Sequence, residues 1–376
     1  LSRLGRAAAN LGLAVASIAL VCALAELFFR FVLPASDYPM IAYSGDVIRY
    51  RPNQSGVYRL RDEIAAPYRI NAQGWNANRA YVTEKPAGAL RVAIIGDSFV
   101  EAFQVPVDGS LAEQLEASAG KLRLQVYRFA VSGAQFSQYL WMLERGVLQY
   151  QPDAVVINLV HNDFDESIAP APGRYSRAFA TLAVAGDRVT GIRPPEPLRP
   201  GLADLPMRSA VLRYLRFNRQ VTLEGVRNAL HGMMPAPAGL TAPAPAGAPG
   251  SVPPAVDANV DLAKVMTRPA LIEAATDYMV ARVAALARAH GFRVLLLMDG
   301  ARQAIYEGRD SGALALNRMV AAVARRHGVD FIDLHPVFAE AWKRDRQRFD
   351  FPHDGHWNAR SHALAAGAIR AWIDRP

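Results

Sequence analysis

Five short apolar, β-prone runs recur along the chain: RVAII at Arg91–Ile95, LQVYRF at Leu124–Phe129, AVVINLV at Ala154–Val160, RVLLLM at Arg293–Met298 and DFID at Asp330–Asp333. Between most of them lie helical patterns, namely SLAEQLEASAG (110–120), YLWMLERGVLQY (139–150), ALIEAATDYMVARVAALARAHG (270–291) and ALALNRMVAAVARRHG (313–328). Strands that alternate with helices predict a parallel sheet covered on both faces. In such sheets, ligands bind beyond the carboxyl ends of the strands.

The first thirty residues obey a different rule. Ala7 to Phe29 is nearly all apolar, long enough as a helix to cross a hydrocarbon layer of about 30 Å. A cleaved signal peptide would have a shorter apolar core and a small-residue cleavage site, whereas this run ends in Phe28, Phe29, Arg30 and Phe31, which suit an interface. Val21 before Cys22 argues against a lipoprotein signal. Arg3 and Arg6 place the N-terminus in the cytoplasm by the positive-inside rule, so the expectation is a single-pass inner-membrane anchor with the bulk on the periplasmic side. Glu26 and Arg30, one turn apart, are expected to pair.

Residues 1–33 are thus read as the anchor, 34–89 as an extended lead-in rich in turn residues, and 90–376 as the main domain. An insertion at about 165–267 interrupts that domain. It contains a basic helical stretch with Arg208, Arg213, Arg216, Arg219 and Arg227, read as a solvated face or a membrane-surface or docking helix. A Pro/Ala/Gly-rich segment, Met233–Val256, follows and lacks the apolar content to order itself. The net charge of +8 comes without a Lys/Arg block or aromatic-basic repeat, so no nucleic-acid partner is expected. A single cysteine, Cys22, excludes an internal disulfide and a Cys-based zinc site.

Four places after predicted strands, or near the chain's end, carry chemistry-bearing residues. GDSF (96–99) presents a serine straight after a buried strand; by itself this is a helix cap on Asp97 or Ser98. Gly133 follows LQVYRF, His161-Asn162-Asp163 follow the third strand, and DGH (354–356) precedes a C-terminal helical pattern. Acyl chemistry at a serine needs a base and a group to orient it, which His356 and Asp354 supply. It also needs donors for the developing oxyanion, which a Gly133 N–H and the Asn162 amide supply. A metal hydrolase would need a convergent His/Asp ligand set, and the nucleophile–oxyanion set accounts for more of the same residues. No metal and no cofactor are expected.

With these four blocks in this order, the chain from about Leu90 resembles the SGNH or GDSL-type hydrolases. The resemblance implies a flavodoxin-like three-layer α/β/α sandwich, with Ser98 as nucleophile, His356 as base and Asp354 as its orienting acid. It further implies an oxyanion hole from Ser98 N–H, Gly133 N–H and Asn162. Two positions depart from the family pattern. Val160 stands where the third block has glycine, and His353 stands three before His356, where the family's aspartate would be. Asp354 is kept as the acid because related membrane-associated acyltransferases use Asp-x-His, with Asp350 and Asp333 as geometric alternatives. His161 and His353 are candidate substrate contacts. The implied function is a membrane-anchored esterase or O-acyltransferase acting on acyl, above all acetyl, esters of a surface or periplasmic glycan, with an integral membrane acyltransferase as a conceivable partner. The alternative is a non-catalytic docking or glycan-binding protein that keeps the fold.

Overall fold

The computed structural model describes residues 3–44, 47–171, 175–197, 207–221, 260 and 262–375. The Pro/Ala/Gly-rich segment and Arg227 lie outside the described residues. The chain divides into two compact units, one of Leu1–Tyr38, Val57–Ala65 and Arg199–Ala244, the other of Pro39–Gly56, Ala66–Leu198 and Pro245–Pro376.

In the first unit, helix α1 (Arg3–Phe31) carries the long apolar run and is long and apolar enough to cross a membrane. Arg30 donates to Glu26 at 2.9 Å, the pairing their spacing predicts. Glu26 also accepts from the Ser209 hydroxyl at 2.9 Å and the Ala210 amide at 2.7 Å, at the start of a short helix, Ala210–Arg213.

In the second unit, β1 (Ile41–Ser44) pairs antiparallel with β2 (Val47–Tyr50), and β3 (Ser55–Leu60) with β4 (Ile64–Arg69), the tip of this second ribbon belonging to the first unit, form another two-stranded sheet. The central sheet comprises β5 (Leu90–Gly96), β6 (Leu124–Ala130), β7 (Ala154–Leu159), β10 (Arg293–Met298) and β11 (Asp330–Asp333), ordered β6-β5-β7-β10-β11 and parallel throughout. A hairpin of β8 (Thr181–Ala185) and β9 (Arg188–Arg193) lies within the insertion. All five sheet strands lie within a residue or so of the apolar runs that predict them. Counted within the sheet, the order is 2-1-3-4-5, the flavodoxin-like arrangement with its switch point between β5 and β7.

Residue parity sorts the strands into two cores. Ala93, Ile95, Val155, Ile157, Leu159 and Leu296 face helices α4 (Phe136–Met142), α5 (Pro269–His290) and α6 (Leu314–His327). Val92, Ile94, Val156, Leu295 and Leu297 face α3 (Leu111–Ala117), α7 (Leu334–Asp345) and α8 (Ala359–Ile373). The result is the three-layer α/β/α sandwich.

Residues 34–89 are more than a lead-in. Ile48, Trp75 and Tyr81 are buried in the first core, where Tyr81 stacks on Tyr127 at 4.0 Å. An aromatic segment on this scale stabilises the domain through burial, each large apolar side chain contributing about 2 kcal/mol.

Candidate active site

Ser98 opens a one-turn helix, α2 (Ser98–Glu101), directly after β5. Asp97 is its N-cap and accepts from Phe99 N–H at 2.9 Å, so the capping role open to this residue is fulfilled. Gly96 allows the tight strand-to-helix turn: a Cβ there would stand 2.4 Å from Val100 Cγ2. The serine is therefore held half-buried at the carboxyl end of the sheet.

His356 comes from a C-terminal hairpin, β12 (Asp350–Phe351) and β13 (Asp354–Trp357). Its Nε2 lies 2.8 Å from Ser98 Oγ, and its Nδ1 is hydrogen-bonded to Asp354 Oδ1. The same carboxylate oxygen accepts the His356 backbone N–H at 2.8 Å. This explains the shortened Asp-x-His spacing, because an aspartate readily binds the backbone two residues on and the imidazole of that residue then falls on the same oxygen. Gln104 adds a side-chain hydrogen bond to Asp354. Burial works against charge on both members, yet the ion-pair field and hydrogen bond prevail, raising His356 above its ordinary value and lowering Asp354 below its own.

The alternative acids are engaged elsewhere. Asp350 pairs with Arg348 at 2.9 Å and with Arg302. Asp333 caps α7 through His335 N–H and accepts from Asn317 at 2.8 Å. His353 sits exposed at the hairpin turn.

Gly133 and Asn162 stand three residues beyond the ends of β6 and β7, at the same edge of the sheet as Ser98. Gly133 has φ of +80°, a conformation that favours glycine. The preceding residue is tethered, since Ser132 N–H donates to Glu101 Oε1 at 2.9 Å and that oxygen also accepts the Tyr50 hydroxyl. Among the described residues no side-chain hydrogen bond engages the Asn162 amide, which leaves it available to a ligand. Its loop is closed by Asp163, which accepts Val160 N–H and the Tyr139 hydroxyl, both at 2.8 Å. Val160, at the position of the family's glycine, packs its side chain into the second core.

His161, a candidate substrate contact by sequence, is turned into the protein interior. Its ring is 1% exposed and its Nε2 lies 2.9 Å from Asn317 Oδ1. Asn317 spends its amide hydrogens on Asp299 O and Asp333, so its oxygen accepts and His161 Nε2 carries the proton. Burial lowers this histidine's pKa and keeps it neutral.

A support absent from the sequence reading surrounds Asp299, just past β10. Its carboxylate accepts from Gly300 N–H (2.8 Å), Arg302 and Trp357 Nε1 (2.9 Å), and Arg302 in turn donates to Gly355 O at 2.5 Å. Arg302 also lies over the Phe99 ring. The hairpin that carries Asp354 and His356 is thus fastened to the sheet on both sides of the histidine. An Asp-Gly-Ala-Arg run after a strand was the available signal, though its partners are distant in the chain.

No family model matches the chain, and no curated protein matches it. Among solved structures it is similar to TesA, with 15% identity over 75% of this chain and 96% of that one and a TM-score of 0.38. A catalytic mutant of the acetylxylan esterase Axe2 from Geobacillus stearothermophilus shows 13% identity, coverage of 78% and 98%, and a TM-score of 0.40. A member of the lipolytic protein G-D-S-L family from Veillonella parvula shows 11%, 76% and 97%, and 0.35.

Proposed function

We propose that this chain, an SGNH/GDSL-type hydrolase by its topology and its ordered blocks, is a membrane-anchored serine esterase or O-acyltransferase acting on acyl esters, in the first place acetyl esters of a surface or periplasmic glycan. The observation that carries the proposal is the continuous relay from Ser98 Oγ through His356 to Asp354. With Nδ1–H donated to Asp354, the neutral imidazole presents an unprotonated Nε2 to the serine hydroxyl, as a general base must.

Ser98 Oγ attacks the ester carbonyl carbon while its proton passes to Nε2. The oxyanion is received by Ser98 N–H, Gly133 N–H and the Asn162 amide. As the tetrahedral species collapses, the imidazolium gives its proton to the departing alkoxide, leaving an acyl-serine and a free alcohol. A water or a sugar hydroxyl then loses its proton to Nε2 and attacks the acyl carbon, restoring Ser98 and releasing an acid or a new ester. In this scheme α1 anchors the protein in the cytoplasmic membrane with the catalytic unit on the periplasmic side, where an integral membrane acyltransferase is the partner fitted to supply acyl groups.

The test is labelling by a fluorophosphonate together with hydrolysis of p-nitrophenyl acetate. Labelling of wild type at Ser98 and its absence in Ser98→Ala is the expected result, with activity down by at least about 10³-fold. A folded wild-type protein that takes no label would remove the serine mechanism and favour a docking role. Supplying an acyl donor with an acceptor oligosaccharide, and weighing the products by mass spectrometry, separates transfer from hydrolysis.

A further inference from the structure

We propose that residues 207–221 form an interfacial element that lies on the bilayer surface and binds anionic lipid headgroups. The inference rests on α1 being a membrane anchor and adds a second point of attachment to it.

Leu212 and Leu215 lie on the short helix Ala210–Arg213 and its wider-wound continuation Tyr214–Asn218, with Arg208 just before the cap residue Ser209 and Arg219 just after the last turn. All four are exposed, Leu212 at 46% and Leu215 at 40%, and Arg216 beside them is exposed too. The segment MRSAVLRYLRFNRQV holds four arginines and no acid. Its other face is fully employed within the unit. Tyr214 packs on Phe29 at 4.4 Å, Phe217 stacks on Tyr38 at 5.1 Å, and Asn218 accepts Ser36 N–H at 2.7 Å. Among the described residues the outward leucines, flanked by arginines, stay exposed, and the composition is that of a surface-lying membrane element.

Its height along α1 is what commits it to the bilayer. From Arg6 to Glu26 the helix rises about 30 Å, the thickness of a hydrocarbon layer. Glu26 is the residue that receives Ser209 and Ala210, so the segment begins at the hydrocarbon edge. Phe28, Phe31 and Val32 are exposed at the same end. Leucines there meet the acyl boundary and arginines meet headgroup phosphates.

The experiment uses the full chain with Cys22→Ser, reconstituted in nanodiscs of phosphatidylcholine alone or mixed equally with phosphatidylglycerol. Single nitroxide labels are placed at Leu215→Cys, at Leu20→Cys in the span, and at exposed Lys121→Cys. Oxygen and a nickel chelate serve as lipid-phase and aqueous relaxants. The expected result is a Leu215 label between the other two in depth, with a several-fold rise in nickel accessibility in the mixed discs once Arg208, Arg216 and Arg219 are all changed to Gln. A Leu215 label as nickel-accessible as Lys121, or shielded from both relaxants, overturns the proposal while a lipid-immersed Leu20 keeps the anchor. A nickel-accessible Leu20 removes the anchor and the proposal with it. Nickel accessibility at Leu215 that the arginine changes leave unaltered in the mixed discs overturns the headgroup contact.

Discussion

At the scale of single residues, the charges around Ser98 set how activity and stability respond to pH. In the proposed mechanism His356 acts as a base only when neutral, and its pKa is raised despite burial because Asp354 and Asp97 favour the imidazolium. The acid limb of kcat/KM is therefore expected above the ordinary imidazole value of about 6.5. Asp354→Asn should move that limb downward and cut the rate by roughly 10²- to 10⁴-fold; a limb unmoved in the variant would mean that another group titrates. Asn162→Ala should lower kcat by about 10²-fold with little change in KM, read from steady-state kinetics on a soluble ester. Glu101 behaves oppositely to a paired carboxylate, because burial pushes it up to about 8. A raised folded-state value means that its contribution to stability is full below the unfolded value near 4.5 and fades as pH rises through about 8. Asp97, pushed up to about 7 by burial, acts in the same direction. Glu101→Gln keeps the acceptor for Tyr50 and Ser132 and should flatten the fall of Tm between about pH 4.5 and pH 8.

At the scale of elements, the strand-to-helix turn and the C-terminal hairpin decide whether the relay can form. A methyl at Gly96 meets a stiff β-branched Val100. Gly96→Ala is expected to shift α2, lowering fluorophosphonate labelling at Ser98 more than it lowers Tm, whereas Val100→Ala should partly restore labelling. Arg302→Met removes one partner of the buried Asp299 pair and leaves a stranded charge, which costs about 3–5 kcal/mol, measurable by denaturant unfolding. The four candidate blocks were legible because each residue's chemistry is local, three of them following a recognisable strand and the fourth preceding the C-terminal helix. Their fastenings were not. Asp299 meets Trp357 at a separation of 58 residues, and Tyr50 meets Glu101 at 51, so no local pattern marks them. The run 34–89 misled for a related reason: its turn residues read as extended chain, while Trp75 and Tyr81 carry it into the core. His161 stands beside Asn162 in the sequence and so suggests a substrate contact, whereas its ring closes inward on Asn317, 156 residues away.

At the scale of the whole molecule, the sheet brings together residues that the chain holds far apart. Ser98 and His356 are 258 positions from each other, and the hairpin bearing the histidine closes only with β10 and Asp299 in place. Non-local contacts of this kind are slow to form. On refolding from denaturant, far-UV ellipticity should return before esterase activity; simultaneous recovery in stopped-flow and activity traces would contradict this order. The consequence reaches biosynthesis. A chain emerging residue by residue carries Ser98 long before His356, so in the proposed mechanism the serine stays an ordinary alcohol during synthesis and becomes reactive only when the last hairpin docks.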